Sequence, residues 1–431
     1  MKWDQSRAML ERSRQSLAGG VSSPFRAKAP VPLFFEDGRG ARLWDVDGNE
    51  YVDYQLAWGP MILGYSHPAM VARLREQVEK PLSYGAQHAL EITVAEKIQQ
   101  MVPCAERVAF TSSGSEALQL AHRLVRAHAG RPKILKFEGH YHGWMDGALH
   151  SYKPQLHETG PMDAPCTVPG SRGQVANAAE NVVVSPWNRL EVLARILEAH
   201  SGEIAGIFLE PVLCNSGCLM PEPGYLQGVQ ALAREHDCLL VFDEVITGFR
   251  INPGGAQKHF GITPDLATFG KAVGGGVPLS VVAGRADLMD QMFHGGVVFG
   301  GTFNGNPFSL AGAAVCLDEL SCDDGAALRH ANRMGDELKR GIGELASRRG
   351  ISLQVTGFGA ASSVHFTSLP ELRDYRDTLS DDRDQLQRFL LAALSEGVIL
   401  VPDGRLYVSA AHTERDIAET LERLERAFAK I

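Results

Sequence analysis

Short apolar runs alternate with stretches of helical periodicity through the middle of the chain. Arg107-Val-Ala-Phe-Thr111, Lys133-Ile-Leu-Lys-Phe137, Asn181-Val-Val-Val-Ser185, Ile204 to Leu209, Cys238 to Phe242 and Val281-Val-Ala283 have the length and side-chain type of strands. Helical patterns separate most of them, from about Glu116 to His128 and from Tyr225 to His236, where Leu226, Val229, Leu232 and Ala233 recur at helix spacing. Strand–helix alternation sustained over about 200 residues predicts an α/β fold, a mostly parallel sheet with helices on both faces. Ligands of such sheets sit beyond the carboxyl ends of the strands, so the loops that follow the strands are where chemistry is to be sought.

The two ends of the chain follow other patterns. Ala41 to Asp53 has a hairpin signal with a tight turn at Asp47-Gly48-Asn49. Near the C-terminus, Thr413-Glu-Arg-Asp416 resembles a capping box, and Ile417, Leu421, Leu424, Phe428 and Ile431 continue it at helical intervals. The run Gly300-Gly-Thr-Phe-Asn-Gly-Asn-Pro307 breaks the central pattern and predicts a domain boundary near residue 310. The expected division is an N-terminal segment 1–65, a large domain 66–310 and a C-terminal small domain 311–431.

Composition narrows the classes of function. The 431 residues are 44% hydrophobic and 22% charged, enough to bury a large core, and the net charge of −9 argues against nucleic acid or anionic lipid as main partner. No apolar run approaches the roughly 20 residues of a membrane span, and Met1-Lys-Trp-Asp-Gln has no secretory character. A cytoplasmic protein is the expectation. Seven cysteines, an odd number, are expected to be thiols. His140-Tyr-His142 is the tightest histidine cluster, but a third ligand is missing, so no metal is expected.

Four loops carry candidate chemistry. Thr111-Ser-Ser-Gly-Ser-Glu116 lies between a strand and a helix, where small residues, free N–H groups and the Ser113 and Ser115 hydroxyls suit a phosphate; a plain capping box from Ser113 to Glu116 is the simpler reading. Leu239 to Glu244 is an apolar strand ending in two acids, Asp243 and Glu244, which either meet a cation, a protonated pyridine nitrogen or a metal, or are solvated. In Phe269-Gly-Lys-Ala-Val-Gly-Gly-Gly-Val-Pro278, Lys271 precedes three glycines that leave room for an adduct; it is either a nucleophilic amine or an exposed lysine. Glu138-Gly-His-Tyr-His-Gly-Trp144 puts Tyr141 on a glycine-flanked turn, for stacking on a planar ring or for packing. Together, a phosphate cradle, a stacking aromatic, a strand-end Asp and a loop Lys are the parts that pyridoxal 5'-phosphate (PLP) needs.

Asp243-Glu-Val-x-x-Gly-Phe-Arg250 followed by Gly270-Lys-x-x-Gly-Gly-Gly resembles the class III aminotransferases, PLP-dependent transferases of fold type I. Gly-Gly-Val-Ser-Ser-Pro-Phe-Arg26, Trp44-Asp-Val-Asp-Gly-Asn49 and Trp58-Gly-Pro-Met-Ile-Leu-Gly64 are similar to the glutamate-1-semialdehyde aminomutases. Phe137 to Trp144 and Val408-Ser-Ala-Ala-His412 are more similar to the D-phenylglycine aminotransferases, and the chain as a whole also resembles the β-phenylalanine aminotransferases. The resemblance implies that Lys271 holds the cofactor as a Schiff base and shuttles a proton. It also implies that Asp243 pairs with the ring nitrogen, that Val245 and Tyr141 flank the ring, and that Ser113, Gly114 and Ser115 bind the phosphate. Thr302 is implied to reach the phosphate of a neighbouring subunit, making a homodimer, with Glu210 and Asn215 near the ring hydroxyl. Arg26 is the implied binder of a substrate carboxylate, beside Trp58.

The chain departs from the aminomutase pattern in one stretch. Where those enzymes carry an active-site glutamate, this chain has the shorter Val401-Pro-Asp-Gly-Arg-Leu-Tyr407, with Asp403 and Arg405 in the neighbourhood, and the loop after Trp144 also differs. Arg405 either binds a second carboxylate or is a solvated surface group. The expected reaction is two-substrate, ping-pong amino transfer from a carboxylate-bearing amino acid to a carbonyl acceptor of 2-oxo acid type. The alternatives are intramolecular amino transfer by an aminomutase, an amino-acid racemase, and a non-catalytic binding module.

Overall fold

A computed structural model describes residues 1–431, which separate into two units: Met1–Pro68 with His330–Glu371 and Ser380–Ile431, and Ala69–Arg329 with Leu372–Leu379. In the first unit, β1 (Phe35–Arg39), β2 (Arg42–Asp45) and β3 (Glu50–Asp53) form an antiparallel meander in which Trp44 faces Glu50 across the expected hairpin turn.

The second unit is built on a seven-stranded sheet of β4 (Arg107–Thr111), β5 (Lys133–Phe137), β6 (Val182–Ser185), β7 (Ile204–Leu209), β8 (Leu239–Glu244), β9 (Leu266–Phe269) and β10 (Ser280–Gly284), in the order β4-β10-β9-β8-β7-β5-β6. The pairs from β6 to β9 are parallel, and β10 alone runs against both of its neighbours. The helix Gly114–Ala129 buries Ala117, Leu118, Leu120, Ala121, Leu124 and Val125 in the core with Ala205, Phe208 and Val241 of the sheet. Its closeness explains Gly206: a Cβ there would stand 2.7 Å from Val125 Cγ1. Gly130, at φ +64°, ends the helix in the left-handed region that glycine enters without strain.

The chain returns to the first unit in β11 (Gln354–Phe358), β12 (Ala361–His365), β13 (Val398–Ile399) and β14 (Arg405–Tyr407); β13 pairs with β3, and β11-β12-β14 make a small antiparallel sheet. The final helix, Glu414–Phe428, starts as the sequence predicts: Thr413 Oγ1 accepts from the Asp416 amide, and Asp416 Oδ2 accepts from the Thr413 amide. Ile417, Leu424 and Phe428 enter a core with Val52, Leu338, Phe389 and Leu406.

The boundary expected near residue 310 is displaced. The Gly/Asn/Pro run opens a long helix instead, with Pro307 as its first residue, Pro being favourable where no intrahelical N–H bond is lost. That helix breaks at Cys322–Gly325, and the unit boundary falls about one turn later, at His330. Residues 372–379 also rejoin the large unit, which no local signal announces.

Candidate active site

Loops at one edge of the seven-stranded sheet converge on a cavity of about 240 Å3 lined by Ser113, Gly114, Ser115, Tyr141, Glu210, Asn215, Asp243, Val245 and Lys271. Leu118, Gly143, Ile246 and Ser280 complete its wall. Most of these positions follow the carboxyl end of a parallel strand: β4 leads to Ser113, β5 to Tyr141, β7 to Glu210 and β9 to Lys271, while Asp243 is the penultimate residue of β8. Ser280 escaped the sequence reading because it begins a strand; since β10 runs backwards and Ser280 pairs with Thr111, that beginning lies at the same edge.

Ser113 stands both at the start of a helix and at the cavity wall. It caps the helix Gly114–Ala129, accepting from the Glu116 amide at 3.3 Å, and also lines the cavity. The first turn of that helix therefore faces the cavity with N–H groups and the positive end of the helix dipole. Gly143 turns the neighbouring loop at φ +86°, and a Cβ there would lie 2.8 Å from Ser115 Oγ.

Asp243 and Glu244 are both buried, so neither is the solvated strand-end acid that the sequence left open. As neighbours in a strand they face opposite ways. Glu244 accepts from Thr247 Oγ1, Gln257 Nε2 and the amides of Ala256 and Gln257, a structural role. Asp243 faces the cavity; its oxygens meet His142 Nδ1 at 2.8 Å, the Val245 amide at 3.1 Å and Thr268 Oγ1 at 3.4 Å. Burial lowers the His142 pKa, keeping the ring neutral, so none of these three neighbours brings a fixed positive charge. A carboxylate so placed fits a ligand cation.

Glu210 Oε1 accepts from the Tyr141 amide at 2.8 Å and Oε2 from the Asn215 amide at 3.1 Å, tying three lining residues together. Burial, then the charge of Asp243, pushes its carboxyl up to about 7. Lys271 adopts φ +46°, a left-handed conformation that costs a residue with a Cβ about 1 kcal/mol or more and marks functional positions. One volume thus holds a helix N-terminus for an anion, a carboxylate for a cation, a primary amine and an aromatic ring.

Three expected residues lie elsewhere. Thr302 is exposed in the segment after the large unit's last strand and does not line the cavity. Arg26 and Trp58 belong to the first unit: Arg26 is exposed on the short helix Pro24–Lys28, and Trp58 packs edge-on against Phe25 at 6.0 Å. Arg405 is 5% exposed and is not a solvated surface group. Asp403 holds it through two bonds of 2.9 and 3.0 Å, Tyr407 Oη meets it at 3.2 Å, and its guanidinium lies 6.0 Å from the centre of the Trp58 ring. No group of three His, Cys, Asp or Glu side chains is placed to hold a metal, all seven cysteines are thiols, and no helix is long and apolar enough to cross a membrane.

The fold and this cavity define a class III aminotransferase: the model of that family matches residues 25–428, and the chain belongs to it. Among its relatives, the glutamate-1-semialdehyde 2,1-aminomutase of Methanothermobacter thermautotrophicus is 40% identical over 99% of both chains. Among solved structures, an omega-transaminase from Sphaerobacter thermophilus superposes with a TM-score of 0.94 at 30% identity, covering 99% of this chain and 97% of that one. A transaminase with PLP bound superposes with a TM-score of 0.90 at 26% identity, covering 100% and 98%.

Proposed function

We propose that the chain is a PLP-dependent aminotransferase of the cytoplasm, moving an amino group from a carboxylate-bearing amino acid to a 2-oxo-acid-type acceptor by a ping-pong mechanism. The observation that carries this reading is the convergence of Lys271, Asp243, Tyr141 and the Ser113–Ser115 helix start on one cavity. When bound, PLP supplies the carbonyl carbon that takes up nitrogen and a cationic ring that draws an electron pair away from the substrate carbon. Ser113, Gly114 and Ser115 seat the phosphate through N–H groups and hydroxyls, and Asp243 keeps a proton on the ring nitrogen. Val245 and Tyr141 flank the ring, and Glu210 and Asn215 stand near its hydroxyl. Lys271 would hold the cofactor at its carbonyl carbon, and its Nζ would carry a proton from the substrate carbon and back.

Arg26 and Trp58 take the substrate, Arg26 by a paired contact to its carboxylate. Thr302 is assigned to the phosphate of a neighbouring subunit in a homodimer. The exposure of Phe293, Val298 and Phe303 along the same segment, 79%, 76% and 63%, supports a covered surface there. The test adds amino acids singly to the PLP-loaded protein: the cofactor absorbance is lost with the donor alone and restored by a 2-oxo acid. Lys271→Ala drops turnover by at least about 10^3-fold. A Lys271→Ala protein as active as the wild type refutes the assignment.

The identity of 40% to an aminomutase along nearly the whole length favours a second reading, intramolecular amino transfer. Against it stands the stretch of Asp403 and Arg405, which by the resemblance lacks the aminomutases' glutamate and here buries the Arg405 cation next to Trp58. Efficient conversion of glutamate 1-semialdehyde to 5-aminolevulinate with no second substrate decides for the aminomutase.

A further inference from the structure

Lys136 is a lysine with no access to water, 0% exposed on β5, the large sheet's second strand from the β6 edge. Burial of an ammonium is costly, and here no carboxylate touches it to offset the loss. Its Nζ instead donates to three main-chain carbonyls: His140 at 2.8 Å, Ala148 at 3.3 Å and His150. An ammonium has three N–H groups, so donors and acceptors match in number.

The three carbonyls come from the two ends of one loop. His140 lies just after β5, and Ala148 and His150 lie where the chain turns back, so the ammonium closes the loop into a ring. The backbone bond from the Gly139 amide to the Ser151 carbonyl, 2.9 Å, joins the ends a second time. Inside the ring sit Tyr141, whose amide meets Glu210, and His142, whose Nδ1 meets Asp243. None of the Lys136 contacts reaches the cavity, yet two of the lining carboxylates depend on the loop it closes.

We propose that the Lys136 ammonium is a positioning group for the active site, setting the loop that carries Tyr141 and His142 and, through them, Glu210 and Asp243. The proposal rests on the reading of the cavity as a PLP site. Its test is equilibrium dialysis of PLP against wild-type and Lys136→Met apoproteins, repeated in a background carrying Glu210→Ala, Tyr141→Ala and His142→Leu, which cuts the amide link to Glu210 as well as the side-chain contacts of the loop. Lys136→Met binds PLP about tenfold more weakly, and this penalty shrinks to about twofold or less once these side chains are gone, the coupling expected of groups acting as one unit. A lysine that merely stabilises the fold gives the same penalty in both backgrounds; that result, or wild-type affinity in Lys136→Met, overturns the proposal. Hydrogen exchange of the wild-type apoprotein gives a second measurement, independent of whether the variant folds and of whether PLP binds. The amides of Gly139, Ala148 and Ser151 share one opening event and agree in protection within about threefold, whereas a spread above about tenfold overturns the assignment.

Discussion

His142 Nδ1 and Asp243 Oδ2 stand 2.8 Å apart with both side chains buried, so the acid that faces the cavity is fixed from behind by a neutral imidazole. An ionised carboxylate only accepts, which assigns the proton to Nδ1. His142→Leu removes this donor and leaves the buried Asp243 with one hydrogen-bond partner fewer. PLP affinity in the variant falls about tenfold, within the roughly 1–3 kcal/mol attached to an unsatisfied buried group. Wild-type PLP affinity in the variant would refute the relationship.

Glu210 gives the apoprotein a pH-dependent stability of definite sign. Its carboxyl, pushed up to about 7, keeps its proton in the folded state where the unfolded chain has lost it. Folding stability attributable to this group therefore falls as pH rises from about 4.5 to about 7 and is level above that. Glu210→Gln lacks the titration: matched to wild type at pH 5, it gains on the order of 1–3 kcal/mol relative to it by pH 8. Denaturant melts of both proteins at the two pH values check this, and a wild type that gains on the variant contradicts it.

Leu56, Ala57 and Trp58 form an unbroken left-handed run, at φ +47°, +53° and +72°. Asp53 holds its entrance, accepting from the amides of Gln55 and Leu56 and from Tyr65 Oη at 2.6 Å. Such conformations cost about 1 kcal/mol per residue and persist where the surroundings impose them, often beside a ligand. Ala57 is exposed, so Ala57→Gly relieves the strain without a cavity, and the variant is stabilised by about 0.5–1 kcal/mol in denaturant melts. If the strain also aims Trp58, the same variant raises the substrate KM. Destabilisation, as for glycine in an ordinary helix, would show the run to be unstrained.

The sheet and its loops were legible because each strand of the large unit is a compact apolar run and each functional loop begins where that run stops. Lys271, Asp243 and Ser113 could thus be assigned to one edge before any coordinates. The short strands β11, β13 and β14 were not anticipated, since two to five residues of mixed polarity carry no period and pair only through tertiary contacts. A single lysine inside Ile-Leu-Lys-Phe carries no sign of burial in the sequence, because only the closed loop supplies its carbonyls. Likewise Arg405 was undecidable from sequence: its burial depends on Trp58, more than 300 residues earlier.

Glu138 and Arg376 form a buried, two-pronged ion pair, both contacts 2.9 Å, with side chains 1% and 11% exposed. The same guanidinium donates to the Gly160 carbonyl at 2.9 Å and to that of Thr159 at 3.3 Å, so it straps residues 159–160 to the base of the active-site loop. Arg376→Met leaves Glu138 buried and unpaired, at a cost of about 3–5 kcal/mol in denaturant melts. Adding Glu138→Gln recovers more than half of that loss, because the charge left behind is the larger part of the penalty. Simple additivity of the two substitutions would contradict a paired role.

The proposed two-substrate reading gives Arg405 a role that can be tested. Its guanidinium is already satisfied by Asp403 and rests over Trp58, so a carboxylate reaching it either displaces Asp403 or shares the fork with it. On the proposed two-substrate reading, an acceptor with a carboxylate beside its carbonyl would make this contact, and the donor's carboxylate would be left to Arg26. The two half-reactions of Arg405→Ala should therefore separate. Cofactor conversion by donor alone stays within about threefold of wild type, and KM for the 2-oxo acid rises about 10–100-fold, the 1.4–2.7 kcal/mol of one charge-assisted contact. Arg405→Lys does not restore it, since a point charge cannot reproduce the planar fork. Equal losses in both half-reactions would place Arg405 in the framework rather than in acceptor binding, and would remove the argument that separates this chain from the aminomutases.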